Sequence, residues 1–200
     1  MDNDEFLTLN AASEGYYTEL RSKFFAFASP VSSADEAMEI LASLRKKYHD
    51  ARHIAYSYVI GADRQNYRIN DDGEPSGTAG RPIYGAINKS GLTNVIVCVV
   101  RYFGGIKLGT SRLAKAYRAA AEDALSPDKA NYVNDFPTER LSLRFPLQFM
   151  GMVMNEIKGL HADVLESKYS GTDCIIIISI RSSLRDTLVK KVVPYNGEIL

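Results

Sequence analysis

The stretch from Thr93 to Ser111, TNVIVCVVRYFGGIKLGTS, decides the reading of this chain. Its first half is a near-continuous β-branched run, so Thr93–Phe103 is predicted to be a central strand buried on both faces. Gly104-Gly105 ends that strand, and Gly109-Thr110-Ser111 opens a helix reaching about Leu125. A strand, a glycine loop and a helix start together make a common anion receptor. Glycines let the backbone come close, while free N–H groups and the helix dipole favour negative charge. Lys107 and Arg112 flank the helix start, and Arg101 leaves the strand end nearby. The loop contains neither Gly-Lys-Thr nor Gly-Lys-Ser and does not read GxGxxG, so it is no Walker A or dinucleotide fingerprint. The same pattern also describes a tight turn followed by a capped helix, and the bare pattern leaves both open.

Charge distribution favours the first. The 24 basic and 24 acidic residues cancel overall, which by itself argues against a nucleic-acid binder. They are unevenly spread. From Met1 to Glu74 there are 13 acids against 8 bases, whereas Pro75–Ala121 has no acid and seven bases: Arg81, Lys89, Arg101, Lys107, Arg112, Lys115 and Arg118. Local sign asymmetry, not the total, sets the field a partner feels. In the helix after the glycine loop, Leu113, Tyr117, Ala120 and Ala124 share one face, with Arg112, Lys115 and Arg118 opposite. The expected anion or nucleic-acid surface is therefore Arg101, Gly104, Gly105, Lys107, Gly109, Arg112, Lys115 and Arg118, converging on one solvent-exposed side. Tyr84, Tyr102 and Phe103 are candidate stacking platforms for unpaired bases, and each also reads as a core residue.

A second stretch, Asp71–Pro82 (DDGEPSGTAGRP), puts three carboxylates beside glycines. It reads either as a Mg²⁺ or acid/base loop, or as a structured loop whose acids cap turns or pair with Arg81 or Arg101. The calcium-loop spacing is absent. His49, His53 and His161 form no HExxH motif, so no zinc site is expected, and His53 at the mouth of a strand reads as a satisfied structural residue. No GxSxG and no Cys/His arrangement occurs. No catalytic set, metal or cofactor is expected.

Working outward, Glu19–Ser29 has strand character. Ser32 or Ser33 is placed to cap a helix over Ala34–Tyr48, and Ile54–Ile60 reads as a strand with Gln65–Asn70 as hairpin partner. Arg81–Asn88 is a short helix closed by Lys89-Ser90-Gly91. Pro127–Pro137 (PDKANYVNDFP) is the best domain boundary, giving expected domains 1–128 and 134–200. The second reads strand (Glu139–Phe145), helix (Leu147–Lys158), strand (Ala162–Tyr169), strand (Cys174–Ile180), helix (to Val192 or Val193), a ferredoxin-like order. The fold class is α+β in two domains. The acidic N-terminus leads into no apolar h-region, and the longest apolar run, Ile175–Ile178, is far too short to span a bilayer. Cys98 and Cys174 sit in strand-like stretches and suit a reducing compartment. A cytoplasmic protein without membrane contact is expected.

DDGEPSGTAGRP followed by VVRYFGGIKLGTSRLAKAY closely resembles the YigZ/Impact family. The similarity extends back through His53-Ile54-Ala55-Tyr56 and covers the first domain. The C-terminal segment looks like the smaller second domain of the bacterial members. The resemblance implies a first domain like the second domain of small-subunit ribosomal protein five, with a left-handed β-α-β crossover, a fold also used by domain four of elongation factor G. It implies a second domain like the C-terminal domain of that factor. The family-motif residues carried onto this chain are His53, Asp72, Gly73, Glu74, Pro75, Gly77, Thr78 and Gly80. Eukaryotic Impact is a translation regulator acting on starvation signalling to initiation-factor phosphorylation. It acts through an RWD domain not found within these 200 residues, so that partner is not carried over. What the resemblance implies is a non-enzymatic role near translation, with RNA, the ribosome or a translation-control protein as partner. Fold kinship is an associational warrant, and the basic stretch is independent of it. Two other readings stay open. One is a phosphate- or nucleotide-binding enzyme using Gly104–Ser111, since the first-domain fold resembles that of small-molecule kinases whose phosphate loop reads Gly-Leu-Gly-Ser-Ser. Lys107–Ser111 faintly echoes that loop, and Asp72 or Glu74 would hold magnesium. The other is a protein-interaction scaffold using the open face of the second domain's sheet.

Overall fold

The computed structural model describes residues Asp4–Leu200, which divide into two units: Glu5–Asp135, and Phe136–Leu200 together with Asp4. The first unit runs Phe6–Leu9 (β1), Ser13–Glu19 (β2), Ser22–Pro30 (β3), Ala34–Lys47 (α1), His53–Ile60 (β4) and Asn66–Asn70 (β5). Gly80–Ser90 (α2), Val95–Tyr102 (β6), Gly109–Ala124 (α3) and Tyr132–Asp135 (β7) complete it. Its main sheet is antiparallel throughout, in the order β2-β3-β6-β4-β5. β3 and β4 therefore run parallel to each other on either side of β6, joined through α1.

The β-branched run lies where its composition predicts, in the middle strand. Val95, Val97 and Val99 pack toward α2 and α3, while Ile96, Cys98 and Val100 pack toward α1. The two faces differ in side-chain size for a physical reason. Two helices lie on one face, and Ala26, Ala28, Ala55, Ala86, Ala116 and Ala120 let them come close. The other face has one helix to cover it, and Phe25, Phe27, Tyr56 and Tyr58 fill the space. The start of α1 is capped as expected: Ser33 Oγ accepts from Glu36 N–H at 3.2 Å, and the Glu36 carboxylate accepts from Ser32 N–H at 2.7 Å.

Two expectations change. Of the stretch Glu19–Ser29, Ser22–Ser29 is strand as expected, in β3, but Glu19 ends the preceding β2, and the two form a hairpin turning at Leu20-Arg21, both at positive φ (45° and 66°). Within the stretch 127–137, Tyr132–Asp135 is a strand paired with β1, Phe6 opposite Asp135, so the chain leaves the first unit between Asp135 and Phe136.

The second unit runs Thr138–Pro146 (β8), Met150–Gly159 (α4), Asp163–Ser170 (β9), Asp173–Arg181 (β10), Arg185–Val192 (α5) and Glu198–Ile199 (β11). Its antiparallel sheet has the order β11-β8-β10-β9, with β11 a short fourth strand beyond the expected elements. β10 alternates where β6 does not. Cys174, Ile176, Ile178 and Ile180 are buried against α4 and α5, and the residues between them are only half-buried. Arg181 Nε donates to Asp4 Oδ1 at 2.8 Å, and that hydrogen bond holds the Asp4 carboxyl at about 2. The chain is thus a mixed α+β protein. Both cysteines are buried free thiols, and burial pushes Cys98 up to about 12. Among the described residues, no helix is long and apolar enough to cross a membrane.

Candidate functional site

The two motif-bearing stretches meet at one place in the first unit. The loop before α2 is organised by Asp71, whose Oδ1 accepts from Ala79 N–H (3.0 Å) and Gly80 N–H (2.9 Å) and whose Oδ2 accepts from Gly77 N–H (2.8 Å). Ala79, the residue before the helix, makes no side-chain cap, so Asp71 serves the helix start from a distance. Asp72 faces the other way. Its Oδ2 accepts from Ile54 N–H at 2.6 Å, its Oδ1 pairs with Arg45 at 2.5 Å, and its backbone carbonyl lies 2.7 Å from His53 Nδ1. A carbonyl only accepts, so His53 Nδ1 carries the proton of that contact and Nε2 keeps its lone pair in the neutral ring.

These ties turn Glu74 inward. Its Oε1 accepts from Arg101 Nη1 at 2.6 Å and from the Tyr117 hydroxyl at 2.8 Å. All three are buried, Arg101 being 8 % exposed. Burial and the adjacent Glu74 carboxylate push the Tyr117 phenol far above its ordinary range, so it stays a donor. The Arg101 guanidinium lies 5.7 Å from the ring centroids of both Phe24 and Phe103. Its Nε–H is buried and has no acceptor among the described residues. The three loop carboxylates therefore serve backbone N–H groups, Arg45 and Arg101 separately. Among the described residues, no three His, Cys, Asp or Glu side chains come together as a metal-ligating group.

Arg101, expected on the solvent-facing basic surface, is thus a buried ion-pair member. Its register partner across the sheet is His53, which puts both side chains on one face of β4 and β6. Beside this pair lies a cavity of about 400 Å³, lined by Arg52, His53, Glu74, Pro75, Arg101 and Phe103, and by Lys107, Leu108, Gly109, Thr110 and Leu113. The residue before α3, Leu108, offers no side-chain cap to the first-turn N–H groups of this 16-residue helix. Gly104 and Gly105 shape the approach. A Cβ on Gly104 would lie 2.1 Å from the Arg21 carbonyl carbon, and Gly105 holds φ +86°.

Lys107, Arg112, Lys115 and Arg118 are exposed and form no ion pair among the described residues. Arg112 and Lys115 stand one turn apart near the helix start. Arg118 instead lies over α2, its Nη2 3.2 Å from where a Cβ on Gly85 would sit, so it does not join the glycine loop. Of the stacking candidates, Phe103 is 58 % exposed at the cavity. Tyr102 donates to Asp50 and packs edge-on to Phe25, and Tyr84 lies against Tyr67. His49 and His53 are four residues apart, but His49 lies in the turn that follows α1 and His53 opens β4, so they share no helix face. Sequence reasoning passed over Arg52 and the hydroxyl of Tyr117. Arg52 sits next to His53 at the strand mouth, which was signal enough. Tyr117 sits on the buried face of α3, where a phenol needs a partner.

Residues 20–125 match the model of the Impact N-terminal domain, a span that contains the whole cavity. An IMPACT family member in the pol 5′ region of Thermus thermophilus is 40% identical over 147 residues, 74% of this chain and 78% of that protein. IMPACT family member YigZ of Escherichia coli (strain K12) is 39% identical over 107 residues, 52% of this chain and 52% of that protein. A solved structure described as that of a hypothetical protein aligns over 98% of this chain and 97% of its own, with TM-score 0.78 and 25% identity. The glycine loop, the loop before α2 and the buried Glu74–Arg101 pair all lie inside the matched span, and the chain belongs to the IMPACT family.

Proposed function

We propose that the protein is a non-enzymatic, translation-associated factor of the cytoplasm that binds RNA, free or on a ribosomal surface, through the glycine loop and the outer face of α3. The observation that carries the reading is the set of exposed cations Lys107, Arg112 and Lys115 on one loop and helix start, within a stretch free of acids from Pro75 to Ala121. Phosphate contacts of this kind supply affinity and position the partner without reading its sequence. Two buried free thiols support a reducing compartment. The strand order of the second unit supports the ferredoxin-like reading, and with it the likeness to the C-terminal domain of elongation factor G.

The test is a salt titration of RNA binding by fluorescence anisotropy. Affinity for a single-stranded oligoribonucleotide should fall steeply with salt and vary little with its sequence. Replacing Lys107, Arg112 and Lys115 together by Ala should reduce the slope of log K against log salt by about 2, as expected for losing up to three single-strand phosphate contacts. An unchanged slope in a folded triple variant would move the reading to a protein partner.

A further inference from the structure

We propose that the cavity under the glycine loop is a receptor for a terminal phosphomonoester, the phosphate end of a nucleotide or of an RNA chain. In its polymer arm the inference rests on the RNA reading above, and in its mononucleotide arm it stands alone.

The cavity walls carry Arg52, Arg101 and Lys107 against a single carboxylate, Glu74, whose Oε1 already takes two donors. The balance left for a ligand is positive. Arg101 is fixed by Glu74 and by the ring of Phe24, so its guanidinium is held in place before any ligand arrives. Its buried Nε–H has no acceptor among the described residues, and a donor in that state is one a ligand oxygen would satisfy. Gly109 and Thr110, at the uncapped start of α3, line the same space, and the helix dipole adds to the attraction for an anion. A phosphomonoester carries close to two charges and three terminal oxygens at neutral pH. Donors that approach from a strand, a loop and a helix end suit it better than a diester's single charge or a planar carboxylate.

The remaining wall fits a nucleoside. Leu108 and Leu113 are apolar, and Phe103 presents an exposed ring with the Arg101 guanidinium on it, a platform for a base. The volume, about 400 Å³, lies within the range of sites that hold small ligands.

The experiment titrates the full chain with AMP, adenosine and inorganic phosphate by calorimetry. By anisotropy it also titrates one hexaribonucleotide carrying a 5′-phosphate, a 3′-phosphate or neither. AMP should bind at least about tenfold more tightly than adenosine, the ratio expected for two or more charge-assisted hydrogen bonds. Thr110→Val, Phe103→Ala and Arg52→Gln change exposed side chains, and each should cut AMP affinity severalfold to about tenfold while leaving the melting temperature in place. A phosphorylated hexamer end that outbinds the hydroxyl form identifies the RNA end as ligand. Equal binding of all three hexamers alongside tight AMP binding identifies the free nucleotide. RNA that fails to bind at all, with AMP still bound, removes the RNA reading and leaves this one. Equal affinity for AMP and adenosine, or AMP affinity untouched in all three variants, overturns it.

Discussion

Arg101 and Lys115 come from the same acid-free stretch, and the protein treats them in opposite ways. Arg101, at the end of a central strand, is buried, paired with Glu74 and lodged between two aromatic rings. Lys115, on the outer face of a helix, stands in solvent with no ion pair among the described residues. The comparison shows that a run of bases in a sequence is not yet a basic surface. Arg101, the third cation of the run, lines a cavity with its charge paired to Glu74, whereas Lys107, Arg112 and Lys115 stand exposed. These roles differ in what they cost to disturb.

The largest effect should come at the backbone that leads from one cation to the other. Gly104 faces the chain at Arg21–Ser22, whose backbone atoms would lie within 2.4 Å of an added Cβ, while Gly105 meets open space but holds φ +86°. Gly104→Ala should destabilise the first unit by about 4 kcal/mol or more, since a rigid backbone has to move. Gly105→Ala should cost about 1–3 kcal/mol, the expense of a left-handed conformation alone. Chemical denaturation of both variants checks the ranking, and equal losses would show that the Gly104 contact relaxes without strain.

Next comes the contrast of buried against exposed charge. Glu74→Ala leaves the Arg101 guanidinium and the Tyr117 hydroxyl without their shared acceptor, and should cost about 3–5 kcal/mol. Glu74→Gln keeps an acceptor and should cost less. The Lys107, Arg112 and Lys115 alanine variant should stay within about 0.5 kcal/mol per site of the parent, because exposed charges contribute little to stability. Urea midpoints at one ionic strength decide it. A triple variant as unstable as Glu74→Ala would erase the distinction on which both functional readings depend.

The difference between Arg101 and Lys115 was only partly legible beforehand. The β-branched run announced β6, the serines before Ala34 announced the start of α1, and the three-glycine loop announced an ordered turn with acids in use. Arg101 was among the partners offered to those acids. It was also counted with the exposed cations, because residue type and spacing do not say which face of a strand end is covered. Glu74 stands 27 residues from Arg101 and 43 from Tyr117, and only the packing of the loop before α2 and of α3 against the sheet brings the three together. The β2–β3 hairpin escaped notice for a local reason. Its turn residues, Leu20 and Arg21, sit at positive φ without the glycine or asparagine that normally marks such a turn. β1 and β7 are four-residue strands far apart in sequence, too short to carry a pattern of their own, and they pair with each other.

The smallest effect is a pH dependence in the second unit, where the Asp4–Arg181 pair stands between the two extremes, half-buried and hydrogen-bonded through Nε. Arg181 holds the folded Asp4 carboxyl at about 2, against 3.8 for the ordinary side chain. The folded state therefore binds that proton less readily than the unfolded one. The stability this pair contributes is present in full above pH 4 and is lost as pH falls from about 4 to about 2. Amide exchange along β10 in the full chain, followed between pH 5 and pH 2.5, should show protection at its Arg181 end falling in that window. Asp4→Asn should remove the step and leave the slower loss common to all carboxylates. The pair is partly in water, so the step should be small beside the loss from Glu74→Ala. A step of equal depth in Asp4→Asn would assign it to another acid of the unit, and the pair would then rank with Lys115 rather than with Arg101.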